Sequence, residues 1–140
     1  YERRWDAWLD MLLPEAEYWV PYEWGQESAK NHVSLFYEDV SLLRMRIDRL
    51  KNELSPLEWP PSRTNRHLSN IRIDSDEAGY LTVTGYLMFV EYRRGEQHWF
   101  SGRVTWNLQE VEQTFKIAAK RVDLVNCDQK IGHLRIAVPM

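Results

Sequence analysis

The sequence holds one cysteine, Cys127, so no disulfide framework can form within the chain. It holds no apolar run near the roughly 18 residues that a membrane-spanning helix requires. It has no surplus of positive charge: 18 Lys and Arg stand against 21 Asp and Glu, for a formal net charge of −3. That balance excludes the basic footprint with which a nucleic-acid binder displaces counterions. No internal repeat, low-complexity tract or linker is visible, and 140 residues suit one domain spanning positions 1–140. What is abundant is aromatic. Seven Trp, seven Tyr and four Phe promise an aromatic core or contact surface and exclude disorder, because burying such groups offsets the entropy of ordering.

The chain opens at Tyr1-Glu2-Arg3-Arg4 with a helical pattern already running, and a leading segment is expected to be missing before it. Trp5, Trp8, Leu9 and Leu12 fall on one helical face, and Pro14 ends that helix or begins the next element. Glu17 to Val20 reads as a short strand between Pro14 and Pro21, residues 22–32 as a loop, and Val33 to Tyr37 as a second strand. Val40, Leu43, Ile47, Leu50 and Leu54 form a 3-4-3-4 helical stripe, with Asp39 or Ser41 placed to cap it. Pro56, Pro60 and Pro61 then impose an extended loop.

The second half reads as sheet. His67, Ser69, Ile71 and Ile73 alternate with Leu68, Asn70, Arg72 and Asp74, which puts His67 on the face of the two isoleucines, towards the inside. A turn is expected over Asp74 to Gly79, a strand over Leu81 to Phe89, a tight turn at Arg93 to Glu96, and another strand over Phe100 to Leu108. The segment from Val111 to Val125 fits a heptad helix. It also fits a strand, but only with a change of phase between Phe115-Ile117-Ala119 and Val122-Leu124, which demands a bulge or burial on both sides. Helices first and strands after argue for α+β architecture with an antiparallel sheet.

Chemistry-bearing patterns are sparse. No two of His32, His67, His98 and His133 have the i, i+4 spacing of a helical metal site. One Cys cannot supply a Rieske cluster, which needs two Cys and two His, nor a Cys-rich zinc site. There is no Gly-x-Ser-x-Gly elbow and no phosphate-cradling glycine loop. Cys127 precedes Asp128, whose charge opposes thiolate formation, and reads as a buried small hydrophobe. His67 reads first as an interior or interface histidine held by hydrogen bonds, since no carboxylate partner is identifiable by local spacing, and second as an acid–base group in a pocket. Trp24 and Trp59, in loops, are candidates for a protein interface.

The run Pro60-Pro61-Ser62-Arg63-Thr64-Asn65-Arg66-His67-Leu68-Ser69-Asn70-Ile71 closely resembles the small (beta) subunit of aromatic-ring-hydroxylating dioxygenases. The likeness extends to Arg4 through Leu9, Ala16 through Pro21, Ser34 through Ile47 and Lys120 through Asp128. The resemblance implies a cone-shaped α+β fold, nuclear transport factor 2-like and cystatin-like, with N-terminal helices packed on a strongly curved, mainly antiparallel sheet. It resolves 112–126 as strand. It implies a non-catalytic structural subunit with no cofactor of its own, in an α3β3 hexamer with two further copies of itself and three large subunits; the single cysteine and the lack of a visible signal pattern are what make a cytoplasmic protein the expectation. Those large subunits would hold the Rieske [2Fe-2S] cluster and mononuclear iron that cis-dihydroxylate an arene with O2. On this reading Trp59, Arg63, Arg66, His67 and Asn70 are expected at or bracing a subunit boundary, where Arg forks bind carboxylates and carbonyls. The alternative on the same cone is a free-standing isomerase or dehydratase of a small cyclic substrate, using His67 and a carboxylate brought near in space. The loop 22–32 departs from benzoate-type members, and the ending Gly132 to Met140 fits no subclass, so the arene stays open.

Overall fold

The computed structural model describes residues 3–30, 32–52 and 59–128. Asn31, Leu54, Pro56, His133 and the ending from Gly132 lie outside the described residues. Eight elements follow in order: α1 (Trp5–Leu9), β1 (Leu12–Pro21), β2 (Ser34–Asp39), α2 (Val40–Lys51), β3 (Arg63–Glu77), β4 (Tyr80–Arg93), β5 (Glu96–Val111) and β6 (Thr114–Leu124).

The helical stripe of α2 is seated as its spacing predicts. Leu43 and Ile47 are fully buried, and the Asp39 carboxylate accepts from the Leu42 N–H at 2.9 Å, which satisfies one of the free donors of the first turn. Lys51 near the end of α2 reaches back to the Asp6 carboxylate of α1 at 2.6 Å. The first helix is shorter than expected. It stops at Leu9, and Leu12 already belongs to β1, where it pairs with Ile117 of β6. Pro14 explains this: it disfavours helical backbone at the residue before it and offers no N–H to a helix. Pairing with β6 lapses after Leu12 and resumes at Glu17, so the missing donor of Pro14 falls in the gap.

The six strands form one sheet in the order β2-β1-β6-β5-β4-β3, antiparallel throughout except for the β1–β6 seam, which is parallel. Three two-residue turns join β3 to β6 in succession: Ala78-Gly79, Arg94-Gly95 and Glu112-Gln113. All six of these residues have positive φ, the geometry whose twist matches flanking strands. The first turn is tighter than the six-residue one expected, because β3 continues to Glu77.

Residues 112–126 settle as strand over Thr114–Leu124. The anticipated phase change is real. Asn107 pairs with Ala119 while Leu108 pairs with Ile117, so Ala118 is an extra residue in β6. The inner face then carries Ile117 before this bulge and Lys120, Val122 and Leu124 after it, all buried.

The core lies between this face and the helices. Tyr18, Val20, Phe36, Leu43 and Ile47 pack at one end, and Leu87, Phe89, Phe100, Val104 and Leu124 along the long strands. The Tyr18 and Phe36 rings meet edge to face with centroids 4.8 Å apart. The α+β cone expected from the resemblance is therefore present: short helices against a curved, mainly antiparallel sheet.

The β5–β6 seam is unusually close at Gly102. A Cβ there would stand 2.1 Å from the Asp123 carbonyl oxygen, a backbone atom that cannot swing aside. Gly102→Ala is expected to cost more than about 2 kcal/mol by forcing the two strands apart. Urea unfolding checks this; an unchanged midpoint would contradict the close approach.

Candidate functional site

β3 is an edge strand, and its side chains alternate between two quite different surroundings. Residues directly opposite one another in a ladder share a face. Thr64, Arg66 and Leu68 oppose Glu91, Phe89 and Leu87, all buried, so they face the inside of the cone. Arg63, Asn65 and His67 oppose Tyr92, Val90 and Met88 on the outside. The expectation that His67 points inwards is thus overturned. That expectation extends the phase of Ile71 and Ile73 back along the strand, but the register slips between Ser69 and Arg72, where Asn70 adopts a φ of +50°. The slip places Ile71 against Gly85 and Trp106 inside, while His67 stays outside. The His67 ring is exposed and lies 3.3 Å from the Asn65 amide.

The five interface candidates are therefore split. The Arg63 guanidinium stacks 4.6 Å from the Tyr92 ring centroid on the outer face. Arg66 stacks 4.8 Å from the Phe89 ring and donates to Thr64 Oγ1 at 3.2 Å on the inner face. Trp59 is 60 % exposed, and its carbonyl accepts from Arg94 at 2.9 Å, which ties the loop to the β4–β5 turn. Asn70 is exposed at the bulge.

Two features emerge that spacing did not single out. The first is the outer face of β4 and β5. Tyr86, Met88 and Trp99 are exposed there beside the Arg63–Tyr92 stack. Next to them Asp74 accepts from the Thr84 hydroxyl at 2.7 Å and pairs with Arg72 at 2.8 Å. The Thr84 hydrogen bond and then the two nearby arginines, Arg72 and Arg103, hold the Asp74 carboxyl below its usual range.

The second is a cavity of about 660 Å³ on the inner face. Trp5 and Trp8 of α1, Trp106 of β5 and Phe115 of β6 supply aromatic walls. Arg3, Arg4, Arg66 and Lys120 supply four cationic side chains. No acidic residue is among the described residues that line it. Also among the described residues, no group of three His, Cys, Asp or Glu is gathered as a metal site would require. Cys127 is buried, and burial together with Asp128 pushes its thiol up, away from nucleophilic use.

A family model described as "Ring hydroxylating beta subunit" matches residues 2–129. The chain belongs to that family. It is 28% identical over 131 residues to the benzoate 1,2-dioxygenase subunit beta of Acinetobacter baylyi, covering 89% of this chain and 77% of that one. It is 29% identical over 131 residues to the toluate 1,2-dioxygenase subunit beta of Pseudomonas putida, covering 89% and 80%. Among solved structures, the beta subunit of the benzoate 1,2-dioxygenase from Burkholderia mallei superposes with a TM-score of 0.73 at 28% identity, over 89% of this chain and 80% of that one.

In this beta subunit Lys120 is the most unusual titratable group. It sits in β6 between Trp106 of β5 and Tyr18 of β1, with its amine 5.2 Å from the Tyr18 ring centroid. Burial first, and the charge of Arg66 second, push the amine down from 10.5 to about 7. Below pH 7 the amine is protonated in folded and unfolded chains alike, and the cost of burying its charge is fully present. Between about 7 and 10.5 the unfolded chain keeps the proton and the folded one has shed it, so stability falls steadily as pH drops through this window because the proton stabilises only the unfolded chain, and the penalty is complete below about 7. Relative to a variant with no amine, the parent is therefore handicapped by the forced loss or burial of that charge. Lys120→Met is expected to be more stable than the parent at pH 6, on the order of 1–2 kcal/mol, with the gain fading as pH climbs towards 10.5. Urea titrations at a series of pH values would show it; a gain that grows with pH would contradict the assignment.

Proposed function

We propose that this chain is the non-catalytic structural subunit of an aromatic-ring-hydroxylating dioxygenase, supporting the large subunit that cis-dihydroxylates an arene with O2. The family match over residues 2–129 carries the reading. Three further points support it. The curated relatives are named as beta or small subunits of benzoate, toluate and anthranilate dioxygenases. The chain presents a broad exposed face with Tyr86, Met88, Tyr92 and Trp99 on it. Its one candidate acid–base histidine, His67, stands on the outside, away from the cavity that an isomerase or dehydratase would need.

The finer reading is an α3β3 hexamer in the cytoplasm, with the Rieske cluster and mononuclear iron held by the large subunits. Relatives named for benzoate, toluate and anthranilate make an aromatic acid the proposed substrate class of the assembled enzyme. The outer face is the proposed contact surface: Trp99 and the Arg63–Tyr92 stack supply the large aromatic and guanidinium groups that dominate binding energy at interfaces. Trp59, His67 and Asn70 would brace its rim. Arg66 is proposed for an inner role instead, since it turns into the cone.

Arg63→Ala and Trp99→Ala are each expected to leave the isolated chain within about 0.5 kcal/mol of its normal stability, since both residues are exposed. Each is expected to weaken association with the large subunit by about tenfold or more. Co-purification from cells expressing the tagged large subunit reads the effect. Equal recovery of parent and variants would remove the outer face from the interface.

A further inference from the structure

Four large rings from three elements converge on the cavity inside the cone: Trp5 and Trp8 of α1, Trp106 of β5 and Phe115 of β6. Three of the seven tryptophans of the chain thus stand in one set of walls. The walls do not close on one another. Trp5, Trp8 and Trp106 are only partly buried, while Phe115 is 44 % and Leu68 48 % exposed. Between them lie about 660 Å³, within the roughly 300–1,000 Å³ of small-molecule sites, which are concave, apolar and largely formed in advance. The wall that α1 supplies is fastened on both sides. The Ile117 N–H donates to the Met11 carbonyl at 2.7 Å, and Lys51 of α2 holds Asp6 at 2.6 Å.

We propose that this cavity binds an uncharged, flat aromatic molecule of one or two fused rings. Such a body gives indole and phenyl walls the offset-stacked and edge-to-face contacts that aromatic pairs prefer. A saturated ring of the same size fills the space and covers the same apolar surface, but its bulk keeps it from stacking. A charged molecule would give up water to rings and alkyl groups that cannot replace it. The cationic side chains that also line the cavity have interactions of their own within the chain. Arg66 lies over the Phe89 ring at 4.8 Å and Lys120 over the Tyr18 ring at 5.2 Å, and Arg3 and Arg4 are likewise engaged. Recognition therefore rests on the aromatic walls. The site is within this chain and needs neither the large subunit nor iron, so it stands or falls apart from the subunit reading.

Two positions test the location without disturbing the core. Leu68 is on the inner face of β3, opposite Leu87, and half of it is open to the cavity. Leu68→Trp adds a ring from that position and fills the space a ligand would take. Phe115 is one residue into β6, and Phe115→Ala takes a wall away. Both sites are exposed enough that the urea midpoint of either variant should stay close to that of the parent.

The test is isothermal titration of the purified full chain at pH 7 with 2-naphthol, with its saturated counterpart decahydro-2-naphthol, and with 2-naphthoate. The expected result is saturable binding of 2-naphthol with a dissociation constant below about 1 mM. Decahydro-2-naphthol and 2-naphthoate should each bind at least about fivefold more weakly. Leu68→Trp should weaken 2-naphthol binding about tenfold or more, and Phe115→Ala about threefold or more. No saturation by 2-naphthol up to about 3 mM, or 2-naphthol affinity unchanged in both variants, would overturn the site. Decahydro-2-naphthol or 2-naphthoate binding as tightly as 2-naphthol would overturn the assigned ligand class. With no large subunit present, none of these outcomes bears on assembly.

Discussion

Ala118 is opposed by no residue of β5, and the contents of the cone follow from that extra residue. Before it, Ile117 faces in; after it, Lys120, Val122 and Leu124 do. Had β6 kept a single phase, Ala119, Arg121 and Asp123 would face the core, and three large inward side chains would be turned to solvent. A one-residue slip exchanges the two faces of a strand, so the bulge is what reconciles the two halves of β6 with one hydrophobic interior. The parallel pairing to β1 is irregular at the same place, with Leu12 on Ile117 and Glu17 on Ala119, but there the surplus residues lie in β1. Gly102 lets the far end of β6 come close enough to hold the register.

From this arrangement the two faces acquire different duties. The inside is apolar and aromatic, and Lys120 is buried there with its amine pushed down by burial and then by the charge of Arg66. The outside carries an exposed tryptophan, an arginine stacked on a tyrosine and a carboxylate tied to two arginines. Single exposed aromatics are ordinary on a protein surface, and the proposed contact surface rests on several of them sharing one side of three neighbouring strands.

Much of this is legible in the residues, and the rest is hidden for identifiable reasons. The α2 stripe, the Asp39 cap and the Arg94-Gly95 turn are local and read directly. The Ala118 bulge announces itself as a conflict of phase between Ile117 and Val122. The slip at Asn70 does not, because Ser, Asn and Arg on an exposed edge strand carry no hydrophobic signal, and simple alternation consequently puts His67 on the wrong face. The start of β1 is masked because Trp5, Trp8, Leu9 and Leu12 share helical spacing while Pro14, two residues later, ends the helix early. Lys120 is within reach of the sequence: it shares its phase with Val122 and Leu124, and a charge on an inward face is the informative exception. That it lines one cavity with Arg66 and Trp8 is not, since that placement depends on strand order across the whole sheet. Family membership, by contrast, is carried by the contiguous run 60–71, whose likeness to the beta subunits needs no tertiary contact to be seen.

The central claim is that this chain completes an oxygenase without itself supplying the metal. Native mass and iron content, measured on the complex formed with the large subunit and on this chain alone, test it most directly. The account predicts a mixed complex that carries iron and a lone chain that carries none. A chain that stays apart from the large subunit, or that holds iron by itself, would contradict it.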